Sequence, residues 1–335
     1  MLTYTIRRLG ASILVLVAAT FLVFLLVDLT GDPLAELLFA VPAVPEETIE
    51  ARRVSLYLDR STPERYWLWL TGWGATNGDI GLLQGKWGPS VRGFDIGNEI
   101  ATRFMNTFRL VAAAMVISFV AAIITGVISA VKQYSKVDHG LTLFAFVGLA
   151  MPIFWLAALI REAGVWANQN IFGASVFATF GATSPTYDRM NFFERIGDVA
   201  GHLTLPTLAL VVNGYAVITR FQRASMLEVL NSDYVRLARA KGLRNRVVMR
   251  RHALRTALIP VVTLGALAAS GFLSGAVVTE IIFRWRGLGT FLTESIGRVD
   301  AYAVMAVVLI TGAIVILFNL IADLLYAVLD PRIRL

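Results

Sequence analysis

Apolar residues in this chain fall in long blocks separated by polar segments. Six blocks, at 9–29, 107–131, 141–160, 203–219, 258–282 and 302–325, approach or exceed the roughly 20 residues a helix needs to cross a hydrocarbon core about 30 Å thick. The fourth is the shortest and is interrupted by Pro206, which leaves its ends the least sharply marked. Arg7 and Arg8 precede the first block and raise the alternative of a secretory signal. Its apolar stretch exceeds the about 7–15 residues of a signal core, and no small-x-small cleavage site follows, so a retained helix is expected. The pattern predicts an all-α integral membrane protein with six transmembrane helices.

The polar segments then set an orientation. Between Arg220 and Ala257 lie Arg220, Arg223, Arg236, Arg239, Lys241, Arg244, Arg246, Arg250, Arg251 and Arg255, opposed only by Glu228 and Asp233. Loops this basic stay in the cytoplasm. The segments on that side (1–8, 132–139, 220–257 and 326–335) hold 16 Lys/Arg, and the longer segments opposite (30–106, 161–202 and 283–301) hold 13. Both termini are therefore expected in the cytoplasm. Three sections result: 1–30 with the first helix, a long extracytoplasmic loop at 31–106, and a core at 107–335 that contains the cytoplasmic loop 220–257.

Composition agrees with a membrane protein. The 335 residues are 57% hydrophobic and 16% charged, against about 25% charged in soluble domains. The net charge of +7 sits mostly in one loop between spans, which accounts for it without nucleic acid. Without cysteine there is no disulfide, thiolate chemistry or Cys-based zinc site, and His139, His202 and His252 are too scattered to suggest a metal.

The first outer loop is too long for a simple connection and is expected to fold. Its Tyr57, Tyr66, Trp67, Trp69, Trp73 and Trp87 suit an interfacial aromatic belt or a docking surface for an extracytoplasmic partner. Its second half, from Gly72 to Gly97, is glycine-rich and turn-forming.

No reactive constellation is present. HExxH, GxSxG and a Cys nucleophile are all missing, and Gly85-Lys86 is followed by Trp87 where a phosphate loop needs Ser or Thr. Work driven by ATP would have to come from another subunit. Asp28, Arg109, Arg161, Glu162 and Glu280 fall near span ends, where snorkelling is expected. Gly271 and Gly275 form a GxxxG that permits close helix packing. Asn213, Thr219, Ser270, Ser274 and Thr279 are the polar candidates for lining a path, against the plain alternative that such hydroxyls bond back to their own helix.

The basic loop has internal order. Asp233 is placed to cap a helix over 234–241, Gly242 to end it, and a second basic helix with Val247, Leu254 and Leu258 leads into the fifth span. Ala238 and Ala240 keep the surface low beside the turn, as a partner packing close to backbone would require. The alternative is a basic loop lying on anionic headgroups.

DYVRLARAKGL followed by RHALRTALIPVVT resembles the cytoplasmic coupling loop of ABC-importer permeases of the dipeptide/oligopeptide/nickel group. RYWLWL, GDIG, MPIFW, HLTLPTLAL, GAVVTEIIF, RGLG and NLIADLLYAVLDPRIRL extend the likeness over nearly the whole chain, in the pattern of the first of the paired permease subunits. The resemblance implies a type I importer fold in a prokaryotic inner membrane. It also implies as partners a second homologous permease, two ATPase subunits that bind ATP and Mg, an extracytoplasmic substrate-binding protein and membrane lipid, with no catalytic residue or cofactor in this chain. Carried onto the loop, it marks Asp233, Tyr234, Arg236, Ala238, Arg239, Ala240, Lys241 and Gly242 as the ATPase-coupling residues. The implied substrate is a di- or oligopeptide. The alternatives are a metal chelate or another peptide-like solute in the same machinery, a stand-alone proton-coupled transporter, or a membrane scaffold.

The likeness departs at four outer positions. These are Asn106-Thr107-Phe108-Arg109, Arg286 where a Pro is usual, Arg161-Glu162 within a normally apolar stretch, and a longer second outer loop.

Overall fold

A computed structural model describes residues 2–329. Expectations placed on residues 330–335, including Arg332 and Arg334, lie outside the described residues. In chain order the elements are α1 (Leu2–Thr30), α2 (Ala35–Leu38), α3 (Glu46–Ser55), α4 (Thr62–Thr71), β1 (Ile80–Gly81), β2 (Lys86–Trp87) and α5 (Ile96–Val131). Then follow α6 (Lys136–Ala150), α7 (Ile153–Ala167), α8 (Phe192–Leu230), α9 (Asp233–Ala240), α10 (Asn245–Val247), α11 (Arg255–Ile282), α12 (Leu288–Gly297) and α13 (Ala301–Leu329). The short antiparallel ribbon, with Ile80 opposite Trp87, is an exception to the all-α expectation.

Among the described residues four helices are long and apolar enough to cross a bilayer: α1, α5, α8 and α13. Two bent pairs, α6 with α7 and the run through α10 and α11, raise the number to six if each counts as one span. The third block is thus not one straight helix. Its two halves meet at 109°, because Pro152 has no N–H to donate and holds Met151 in an extended conformation (φ −81°, ψ 126°). The fourth block is the reverse case. Pro206 sits inside a 39-residue helix, about 58 Å long, well beyond a hydrocarbon core. The second block also lengthens, since Asp95 Oδ1 accepts from the Gly97 amide at 2.8 Å and starts α5 within the expected outer loop.

The described residues divide into two compact units, one formed by those up to Thr107 with Arg286–Ile316, the other by Phe108–Trp285 with residues 317–329. In the first unit the long loop is not separate from the helices. Phe24 and Val27 of α1, Tyr66, Leu68 and Trp69 of α4, Ile96 and Ile100 of α5, Leu288 and Phe291 of α12 and the start of α13 share one buried core. Thr20, Phe24 and Val27 fall on one face of α1, while Leu14, Val15, Leu22 and Leu26 face outward. Asp28, expected to snorkel, instead accepts from Arg65 and Thr62 of α4. Arg52 donates to the carbonyls of Ser90 and Val91, and Asp300 accepts from the Val91 amide at 2.9 Å. Tyr57, Tyr66 and Trp69 are core residues rather than belt or docking surface; Trp67 and Trp73 stay exposed.

In the second unit α8 is the central element, packed by α6, α7 and α11. The contacts are made by small residues: Ala114, Ala122, Ala145, Ala157, Ala209, Ala216, Ala257, Ala269 and Ala276 are all essentially buried. Lipid tails are as apolar as Leu, so close backbone approach and dispersion hold such helices together where hydrophobic burial cannot. Glu280, expected at a wet span end, is fully buried on α11.

Candidate functional site

The basic loop forms a small folded cap on the end of α8. Ser232, not Asp233, occupies the N-cap position of α9, and Asp233 lies in the first turn, where its charge favours the helix dipole. Ser232 makes no side-chain cap; its hydroxyl donates to the Val229 carbonyl instead. α9 turns Val235 and Ala238 inward, onto Met226 and Val229 of α8, Ala130 of α5, and Val248, Ala253 and Ala257 beyond the turn. Burying Val235 alone contributes about 1.5–3 kcal/mol. Ala238 therefore holds α9 in place, whereas Tyr234, Arg236, Leu237, Arg239, Ala240 and Lys241 face outward. Gly242 stands at φ 75°, the left-handed region, in open space, and ends the helix as a residue without Cβ can. The second basic helix is present only in part. After α10 the chain makes a wide π turn over Val248–Leu254 before α11.

Arg236 faces Asp233 at 3.6 Å, Arg220 stacks over Phe146, and Arg223 is bound to Asp138. The other cations of the loop have no such partner among the described residues. The exposed surface of α9 thus offers Tyr234 and Leu237 as apolar anchors within a rim of free positive charge.

A cavity of about 430 Å³ lies elsewhere in the same unit. The broken helix supplies Leu149, Met151, Pro152 and Ile153; α8 supplies Asn213 and Gly214; α11 supplies Gly271, Phe272 and Gly275. The GxxxG pair therefore lines a space as well as permitting packing. Asn213 is the one path candidate in its wall, and its side chain has no hydrogen-bond partner among the described residues. The other four lie away from it. Thr219 is 3.1 Å from the Thr125 hydroxyl, Thr279 donates to the Gly275 carbonyl and Ser270 to that of Leu267, while Ser274 is on the surface. Sequence reasoning missed Met151, Pro152 and Gly214. The Pro within an apolar block was the available signal.

The four outer departures come together in pairs. Asn106 Nδ2 donates to the Arg286 carbonyl at 2.8 Å, and the Thr107 hydroxyl accepts from the Leu288 amide at 2.8 Å. Arg161 donates to the Ile282 carbonyl and lies over Phe180 of the longer second loop, whose Gly181 amide reaches the Phe283 carbonyl.

Residues 122–335, which contain the broken helix, the cavity and the basic loop, match the profile of the binding-protein-dependent transport system inner membrane component. The chain belongs to that family. The relatives of this inner membrane component include the oligopeptide transport system permease protein OppB of Mycobacterium tuberculosis, 36% identical over 100% of this chain and 99% of the relative. The oligopeptide permease AppB of Bacillus subtilis is 35% identical over the whole of both chains. The dipeptide permease DppB of Escherichia coli K12 is 36% identical over 100% of this chain and 99% of the relative. Among solved structures, the crystal structure of an amino acid ABC transporter with histidines aligns with a TM-score of 0.49 at 15% identity, covering 70% of this chain and 94% of that one.

Proposed function

We propose that this family member is one half of the membrane pathway of an ATP-driven importer of di- and oligopeptides. The observation that carries the reading is the end-to-end similarity to three peptide permeases. In this reading the chain crosses a prokaryotic inner membrane six times with both termini in the cytoplasm, the orientation favoured by the concentration of cations around α9. A second permease completes the pathway, an extracytoplasmic binding protein delivers solute, and two ATPase subunits bind and hydrolyse ATP with Mg. This chain then does no catalysis.

The exposed face of α9, from Asp233 and Tyr234 through Arg236, Arg239, Ala240 and Lys241 to Gly242, is the ATPase contact. Tyr234 and Leu237 seat in the partner and the cations set register. Ala238 acts from beneath, by anchoring α9 to α8. Closure of the ATPase pair displaces α9, and the cavity at Met151–Pro152 is the part of the pathway that changes access.

The test reconstitutes the chain with its second permease, ATPases and binding protein in liposomes and measures uptake of labelled peptides. ATP-dependent peptide uptake, competed by unlabelled peptide and not by metal chelates, is the expected result. Uptake by this chain alone under a proton gradient would refute it.

A further inference from the structure

We propose that Arg223 and Asp138 form a latch that makes α6 and the cytoplasmic half of α8 one lever, delivering displacement of α9 to the broken helix at the cavity. The proposal rests on the reading of α9 as the ATPase contact. Asp138 lies in the first turn of α6 and is buried. Its Oδ1 accepts from Arg223 Nε and its Oδ2 from Arg223 Nη2, both at 2.9 Å. This fork fixes orientation as well as separation.

Two further donors tie in the neighbouring backbone. Ser129 of α5 donates its hydroxyl to Oδ1 and accepts from Arg223 Nε at 3.0 Å. The Tyr134 amide donates to Oδ2 at 2.9 Å. Tyr134 sits at φ 62° in the turn between α5 and α6, a conformation a bulky residue adopts only when its surroundings impose it. The carboxylate therefore holds together the end of α5, the turn, the start of α6 and α8.

Beyond the latch, α6 stays clamped to α8. Arg220 lies 4.7 Å over the Phe146 ring, and the Phe144 and Tyr215 rings are 5.6 Å apart. Gly148 is so close that a Cβ there would stand 3.0 Å from Val212 Cγ1. From Asp138 to Ala150 the rod is about 18 Å long, and it ends at Met151 in the cavity wall. At the other end, Arg223 lies two turns before the α8 terminus onto which Val235 and Ala238 pack. Neither Arg223 nor Asp138 lines that cavity or the exposed face of α9, so both are positioning residues that act through α6.

The chain has no cysteine, so Val137→Cys on α6 and Phe221→Cys on α8, both exposed, accept spin labels without background from the rest of this chain when it is labelled before assembly. In the reconstituted complex the distance between these labels should stay the same in nucleotide-free and ATP-trapped states. Adding Asp138→Asn should make the two states differ. The same substitution should lower peptide taken up per ATP hydrolysed about tenfold, a typical coupling between sites. Arg223→Lys, which keeps the charge and loses the fork, should fall between and carries the test if Asp138→Asn does not assemble. The ratio is independent of how much complex forms, so a merely structural role would leave it unchanged. A label distance that changes on trapping without Asp138→Asn, or a variant with the unsubstituted ratio, overturns the proposal. Absence of ATP-dependent uptake in the unsubstituted complex overturns the functional reading instead.

Discussion

Gly214→Ala should destabilise the protein although alanine is the better helix former. Gly214 on α8 faces Phe272 on α11, and both line the cavity. An added Cβ would stand 2.2 Å from Phe272 Cζ, 2.7 Å from Cε1 and 3.1 Å from Cε2, where ordinary contact begins at 3.4 Å. With three ring atoms inside that limit, no small tilt clears the clash. Either the ring leaves the cluster it shares with Leu110, Leu210, Ala276 and Trp285, or α8 and α11 separate. Overpacking of this kind costs about 1–3 kcal/mol, and the helix-propensity gain of about 0.5–1 kcal/mol offsets part of it. A net loss centred on about 1 kcal/mol, and at most about 2.5 kcal/mol, follows.

Phe272→Ala alone should cost about 3–5 kcal/mol. The double variant should cost less than the sum by about 1 kcal/mol or more, because removing the ring leaves room for the new methyl. Thermal unfolding of the four proteins in one detergent, followed by tryptophan fluorescence, gives the cycle. A Gly214→Ala protein as stable as the original, or strictly additive effects, would refute the packing argument.

Other outcomes follow from single sites. Gly242→Val should cut uptake per ATP hydrolysed in the reconstituted complex, because a β-branched residue at φ 75° is strained by at least about 1–2 kcal/mol; Gly242→Asn, which tolerates that conformation, should retain most of it. Trp69→Ala should cost about 3–5 kcal/mol, whereas Trp73→Ala, at a site 71% exposed, should change stability by no more than about 0.5 kcal/mol; unfolding midpoints in detergent compare the two. Burial pushes the Asp300 carboxyl up from its ordinary value, against the Val91 and Ala303 amides, Ser90 and Arg52, which pull it down. Its contribution to stability is then fullest below the unfolded-state value and is lost as pH rises through the folded one, so Asp300→Asn should flatten the pH dependence of unfolding above the ordinary carboxylate range.

The parts of the site legible in the sequence were local ones. Gly242 as the end of α9 and the exposed cations follow from residue type and spacing, and the structure places both as expected. Asp233 was misplaced by one position, because the Ser before it holds the extended N-cap geometry. Pro206 and Pro152 show the limit more clearly. Both are prolines in apolar blocks, yet one sits inside an unbroken helix and the other marks a 109° bend. Residue identity does not say which will break; the packing on either side does. The aromatic residues of the first loop divide the same way. Trp67 and Trp69 are two positions apart, but only Trp69 points into the core shared by α1, α4 and α13.

Membrane character and family were readable from the chain alone, because hydropathy is a sum over neighbouring residues and a motif is a run of them. The cavity, the latch and the coupled outer departures depended on the folded chain. In soluble helices the inward face announces itself by contrast with a polar one; in lipid both faces are apolar, and that contrast is faint. Which glycine meets which ring is then decided by how whole helices pack. So is the pairing of Arg223 with Asp138, which lie 85 residues apart.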